Sequence, residues 1–93
     1  MAHEIFYWPL AYEARRKLES DPAMTPVFRA VERIEDRLAA DPFCPRLGTT
    51  AFMTPELGGI CATPARIDDW YLIWQRGPEG KVVEIVAIHQ LRI

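Results

Sequence analysis

With 93 residues and 10.7 kDa, the chain fits one domain, 1–93, because chains divide at roughly 100–200 residues per domain. Its composition, 49% hydrophobic, 26% charged and 11% aromatic, excludes disordered and fibrous classes and lets it bury a core, although much of so small a domain stays wet. Lys and Arg number 11 against 13 Asp and Glu, a net charge of −2, so any site for a polyanion has to be a local cluster of cations.

The run His3 to Trp8 is β-branched and aromatic without helical periodicity, and reads as a short strand closed by Pro9. Pro9 suits a first helical turn, after which Leu10, Ala11, Ala14 and Leu18 recur at helical spacing opposite Glu13, Arg15, Arg16, Lys17 and Glu19. Ser20-Asp21-Pro22 ends this helix. Thr25 as N-cap and Pro26 at the first position start a second one, with Val27, Val31, Ile34 and Leu38 as its apolar stripe. The expected core joins Val31, Ile34 and Leu38 to Leu10, Ala14 and Leu18. Asp41-Pro42-Phe43-Cys44-Pro45 ends the helix, since proline lacks an amide donor and disfavours helical geometry in the residue before it.

From Arg46 to Pro64, glycine, threonine and proline predict a loop with at most a short strand around Gly59 to Thr63. Ile67 to Gln75 and Lys81 to His89 then read as two strands joined by Arg76-Gly77-Pro78-Glu79-Gly80, an antiparallel hairpin. Alternation sets Trp70, Leu72 and Trp74 against Tyr71, Ile73 and Gln75, and Val83, Ile85 and Ala87 against Val82, Glu84, Val86 and Ile88. Both faces are largely apolar. Helices covering one leave the other to a partner, either a homodimer mate or a peptide. The class is α+β: a short N-terminal strand, a two-helix hairpin, then an antiparallel sheet with the helices on one face.

Cys44 and Cys61 have neither metal-ligand spacing nor a disulfide framework, no apolar run approaches the ~20 residues of a membrane span, and no secretory leader opens the sequence. The expectation is a cytoplasmic protein with no membrane segment, metal or cofactor. Phosphate loops and nucleophile elbows are missing as well, against nucleotide and serine hydrolysis.

Four stretches form a pattern by their order. Ile5 to Leu18 (I-F-Y-W-P-L-A-Y-E-A-R-R-K-L) runs a strand through a proline into a helix. Arg37 to Gly48 (R-L-A-A-D-P-F-C-P-R-L-G) ends a helix in leucine, a polar step and proline. Arg66 to Trp74 (R-I-D-D-W-Y-L-I-W) is a strand opened by arginine, and Val82 to Arg92 (V-V-E-I-V-A-I-H-Q-L-R) ends near a histidine and an arginine. Together they resemble the RelE/ParE superfamily, the toxin halves of bacterial toxin–antitoxin modules. Two departures stand out: Tyr71 where the family often has arginine, and only Lys17 and Lys81 where many members are lysine-rich. The resemblance implies a metal-independent mRNA interferase that cuts message at the ribosome, held by a small antitoxin. In its ParE branch it implies a protein that binds DNA gyrase without catalysis. A non-toxic binding module of the same fold is the third reading.

RNA cleavage through the 2′-hydroxyl needs a base, cations for the phosphorane charge and a proton donor for the leaving oxygen. Arg66 matches the motif arginine as phosphate clamp, its fork suited to two phosphate oxygens. His89 carries an imidazole, the side chain most used for acid or base work near neutral pH. Glu56 is a candidate base from the loop. Arg46 and Arg92 add charge, and Tyr71 or Trp70 can stack a base. Structural readings stand beside each. Arg66 pairs equally well with Asp68 or Glu84, His89 suits a hydrogen-bonded structural place, and Glu56 suits a turn after Pro55. Phe6, Trp8, Trp70 and Trp74 suit the core. Arg29, Arg33 and Arg37 among Glu32 and Asp36 read as a solvated, ion-paired helix face, and the two cysteines as buried thiols.

Overall fold

The computed structural model describes residues 3–77 and 80–91. Strand β1 (Glu4–Tyr7) leads through Trp8 into helix α1 (Pro9–Ser20). A 3-10 turn (Pro22–Met24) leads into helix α2 (Thr25–Ala40), and a second one (Pro45–Leu47) leads to strands β2 (Thr50–Thr54), β3 (Gly58–Pro64), β4 (Trp70–Arg76) and β5 (Val82–Gln90). The sheet order is β1-β5-β4-β3-β2. The last four strands pair antiparallel, while β1 joins β5 in parallel, which makes the sheet mixed.

Both helices cover one face. The stripe Val27, Val31, Ile34 and Leu38 is buried as its spacing requires, with Ala30 beside it, against Leu72, Trp74, Val83, Ile85 and Ile88 of the sheet. Leu10 is not part of this core and stays 78% exposed. Ala11, Ala14 and Leu18 follow the i, i+3, i+7 rule, and Leu10 lies one residue, about 100°, off that stripe. Thr25 does not cap α2 either. It already has helical dihedrals, φ −53° and ψ −43°, because the preceding turn delivers the chain in helical geometry; its own start is capped by Asp21, whose carboxylate accepts from the Ala23 amide at 3.0 Å.

The segment expected as a loop with at most a short strand around Gly59 to Thr63 has that strand, as β3, and pairs it with a second one in a β-hairpin. Thr50–Thr54 pairs with Gly58–Ala62 across a three-residue turn, where Thr54 Oγ1 accepts from the Leu57 amide at 3.0 Å and Gly58 supplies the positive φ of 72°. Strand β2 is an edge strand and mostly exposed, so its Thr-Ala-Phe-Met-Thr sequence shows no buried alternation.

The next strand begins later than expected, at Trp70. Arg66, Asp68 and Asp69 have positive φ (63°, 49° and 60°) in a turn tied by the Ala65 amide to the Trp70 carbonyl at 2.8 Å. In β5 the register shifts opposite Ile73/Trp74, whose partners step from Ala87 to Ile85. This bulge reverses the expected alternation, so that Ile88 faces the core opposite Leu72, and Ala87 faces out. Phe6, expected in the core, lies on the helix-free face of β1 and is 54% exposed, while Trp74 is fully buried and Trp70 and Trp8 half-buried.

Candidate functional site

The helix-free face carries Phe6 of β1, Glu84, Ala87 and His89 of β5, Tyr71, Ile73 and Gln75 of β4, and Ile60, Ala62 and Pro64 of β3. On it Tyr71 is paired directly with His89 and, on its other side, with Pro64. Such neighbours stand about 4.5–5.5 Å apart at Cβ. The exposed His89 and half-buried Tyr71 thus stand side by side at one end of the interior strands β4 and β5. Gln90 anchors this end, its Nε2 donating to the Asp68 carbonyl at 2.8 Å.

Arg66 stands at the same end. It pairs with neither Asp68 nor Glu84; its Nη2 donates to the Arg46 carbonyl at 3.0 Å, and its guanidinium lies over Gly48, where a Cβ would come within 3.0 Å of Nη2. It lines a cavity of about 250 Å³ together with Pro64, Ile67, Asp68, Asp69, Trp70 and Tyr71; His89, on β5, is outside that lining and meets it through its partner Tyr71. Glu56 is elsewhere. It sits exposed in the β2–β3 turn, beyond the opposite end of β3, and six residue steps from Gly58 to Pro64 span about 20 Å. Arg92 lies outside the described residues.

At the other end of the face, Glu84 accepts from Trp8 Nε1 and from Gln75 Nε2, both at 3.0 Å. These bonds, the indole's first, hold its carboxyl below the usual carboxylate range, against a small opposing effect of burial. On the helical side Arg15 grips Glu35 with Nε at 2.8 Å and Nη2 at 3.1 Å, and its guanidinium stacks over Phe28 and Tyr7. Burial, with Asp36 adding to it, nonetheless pushes Glu35 up to about 7.

The arginines of α2 are not an ion-paired face. Arg33 and Arg37 point with Arg46 and Arg66 around a second cavity of about 450 Å³, and among the described residues the carboxylates within 4.0 Å of an arginine, Glu19 and Glu35, both belong to Arg15. The sequence hides this cluster, because Glu32, Asp36 and Asp68 stand next to its members in the chain but point elsewhere. Cys44 and Cys61 are free and half-buried rather than fully buried, both along a cavity beside Trp74, and burial raises the Cys61 thiol.

Among the described residues no group of three or more His, Cys, Asp or Glu is placed to hold a metal, and no helix is long and apolar enough to cross a membrane. No protein-family model and no curated sequence matches the chain. Solved structures do. A YoeB/ParE toxin from Agrobacterium tumefaciens superposes with a TM-score of 0.78 at 7% identity, over 96% of this chain and 99% of that one. The archaeal RelE–RelB complex from Pyrococcus horikoshii gives 0.71 at 15% identity, over 97% and 96%. The YoeB dimer from Staphylococcus aureus gives 0.73 at 9% identity, over 100% of both chains. End to end, this chain has the fold of the RelE/ParE superfamily.

Proposed function

We propose that this protein is the toxin of a toxin–antitoxin pair, acting in the cytoplasm, and that it cuts RNA without a metal at the Tyr71–His89 end of the helix-free face. The observation that carries this reading is the cross-strand pairing of Tyr71 with His89, next to Arg66, on a sheet of RelE/ParE fold. In the reaction the substrate's 2′-hydroxyl gives its proton to solvent water as its oxygen bonds to the adjacent phosphorus, the P–O5′ bond breaks, and a 2′,3′-cyclic phosphate is left. His89 gives a proton to the leaving oxygen, Tyr71 holds a base against its ring, and Arg66, with Arg46 behind it, faces the phosphate. Glu56 is too far along the sheet to take part. An antitoxin or a second copy of the chain would cover the apolar remainder of this face, as suits a fold whose neighbours include a RelE–RelB complex and a YoeB dimer.

The test is message cleavage in a reconstituted translation reaction. His89→Ala should lower it by about 10²–10⁴-fold with the fold intact. Undiminished cleavage by that variant would remove His89 from the chemistry. One observation favours a second reading: the described strand residues of this face include neither Lys nor Arg. A gyrase-binding toxin needs no phosphate clamp there, and inhibition of supercoiling without RNA cleavage would select it.

A further inference from the structure

The four-arginine groove lies between α2 and the β3–β4 turn, and its composition is one-sided. Its floor is aliphatic: Ala30, Ile34, Leu47 and Ala65 are buried and Ile67 half-buried. Its rim is Arg33, Arg37, Arg46 and Arg66, all exposed, and no Asp or Glu lines it, in a chain that carries more acids than bases. Four cations collected around one cavity repel each other and keep an apolar floor wet, so the arrangement favours an occupant that supplies both negative charge and aliphatic surface.

From this we propose that the groove docks an acidic amphipathic peptide segment of a partner, with aliphatic side chains on the floor and Asp or Glu side chains in the guanidinium forks. On the toxin–antitoxin reading above, on which the partner's identity rests, this segment belongs to the antitoxin. Arg33 and Arg37 are one helical turn apart, about 5–6 Å at Cβ, the spacing at which carboxylates four residues apart on a helix meet them. The bond from Arg66 to the Arg46 carbonyl fixes a third fork in advance, which lowers the ordering cost of binding. A single-stranded nucleic acid suits the groove less well. Its phosphates would find the arginines, but its bases stack on aromatic rings, and no Phe, Tyr or Trp lines this cavity.

The experiment is fluorescence anisotropy on the full chain with three labelled probes: a helical peptide of leucines and glutamates at i, i+4 spacing, the same peptide with lysines for glutamates, and a single-stranded oligoribonucleotide. The acidic peptide should bind, and the double variant Arg33→Glu with Arg37→Glu should weaken it at least tenfold. The same variant should gain affinity for the lysine peptide, a reversal that loss of fold would not produce. His89→Ala should leave peptide binding unchanged, so failure of the RNA-cleavage reading and failure of the groove are told apart. Preference for the oligoribonucleotide, no binding of the acidic peptide, or binding indifferent to the charge reversal overturns the proposal.

Discussion

The indole Nε1 of Trp74 donates to Thr63 Oγ1 at 2.8 Å, with both residues 0% exposed, and the same hydroxyl lies 2.7 Å from Thr49 Oγ1. The largest side chain of the core is thereby pinned to β3. Thr63→Val keeps the shape and removes the acceptor, so the buried indole N–H loses its partner. Chemical denaturation should show a loss of about 1–3 kcal/mol, with Thr63→Ser close to the parent.

Leu38 is fully buried at the end of the α2 stripe, whereas Leu10 projects from α1 into solvent. Leu38→Ala should cost about 2–5 kcal/mol, a large share of a small domain's stability, and Leu10→Ala less than about 0.5 kcal/mol. A Leu38→Ala loss below about 1 kcal/mol would mean that α2 packs on the sheet through other residues.

Asp68 holds φ 49° without the freedom of glycine. Its backbone carbonyl, not its side chain, accepts from Gln90, so Asp68→Gly keeps that bond and relieves the left-handed strain. The gain should be up to about 1 kcal/mol in the free energy of unfolding, while Asp68→Val, β-branched, should lose at least as much. Equal stability of all three would mean that the turn relaxes at no cost.

Glu35 predicts a pH dependence. Its folded pKa of about 7 lies above its ordinary value of 4.5, so between these pH values the folded chain binds the extra proton. Stability from this group is complete below about pH 4.5 and is lost as the pH rises through 7. Glu35→Gln should shrink the stability difference between about pH 5 and pH 8. Carboxyl resonances followed by NMR check the cause directly: titration of Glu35 below about 4.5 would show that the Arg15 fork outweighs burial.

The elements readable in the sequence are those whose pattern and burial coincide. Val27, Val31, Ile34 and Leu38 repeat at helical spacing and are buried, and the β4–β5 hairpin alternates around a glycine-rich turn. Strand β2 escapes because an edge strand exposed along its length has no face to pattern, and its pairing is decided by β3. The bulge that turns Ile88 inward is a register event between two strands, invisible within either. At the candidate site, Tyr71 and His89 were nameable one by one, but their pairing came only with that register. The arginine groove was hidden for the opposite reason. Local sequence offers Arg33, Arg37 and Arg66 an acidic neighbour, none of which lines the groove, and Arg46 joins them only through the fold.

The parallel pairing of β1 with β5 joins the first strand in chain order to the last. During synthesis β1 leaves the ribosome while its hydrogen-bonding partner is still to be translated, and at roughly 5–20 residues per second it waits on the order of seconds. Over that time the stripe of α2 has no completed sheet to cover, because Leu72, Trp74, Val83 and Ile85 all come late. The nascent chain therefore stays open, its apolar stripe within reach of chaperones, and closes only after β5 has emerged. The face carrying Tyr71 and His89 is assembled in that same final step. Whatever this surface does, it cannot begin until the ribosome has translated β5.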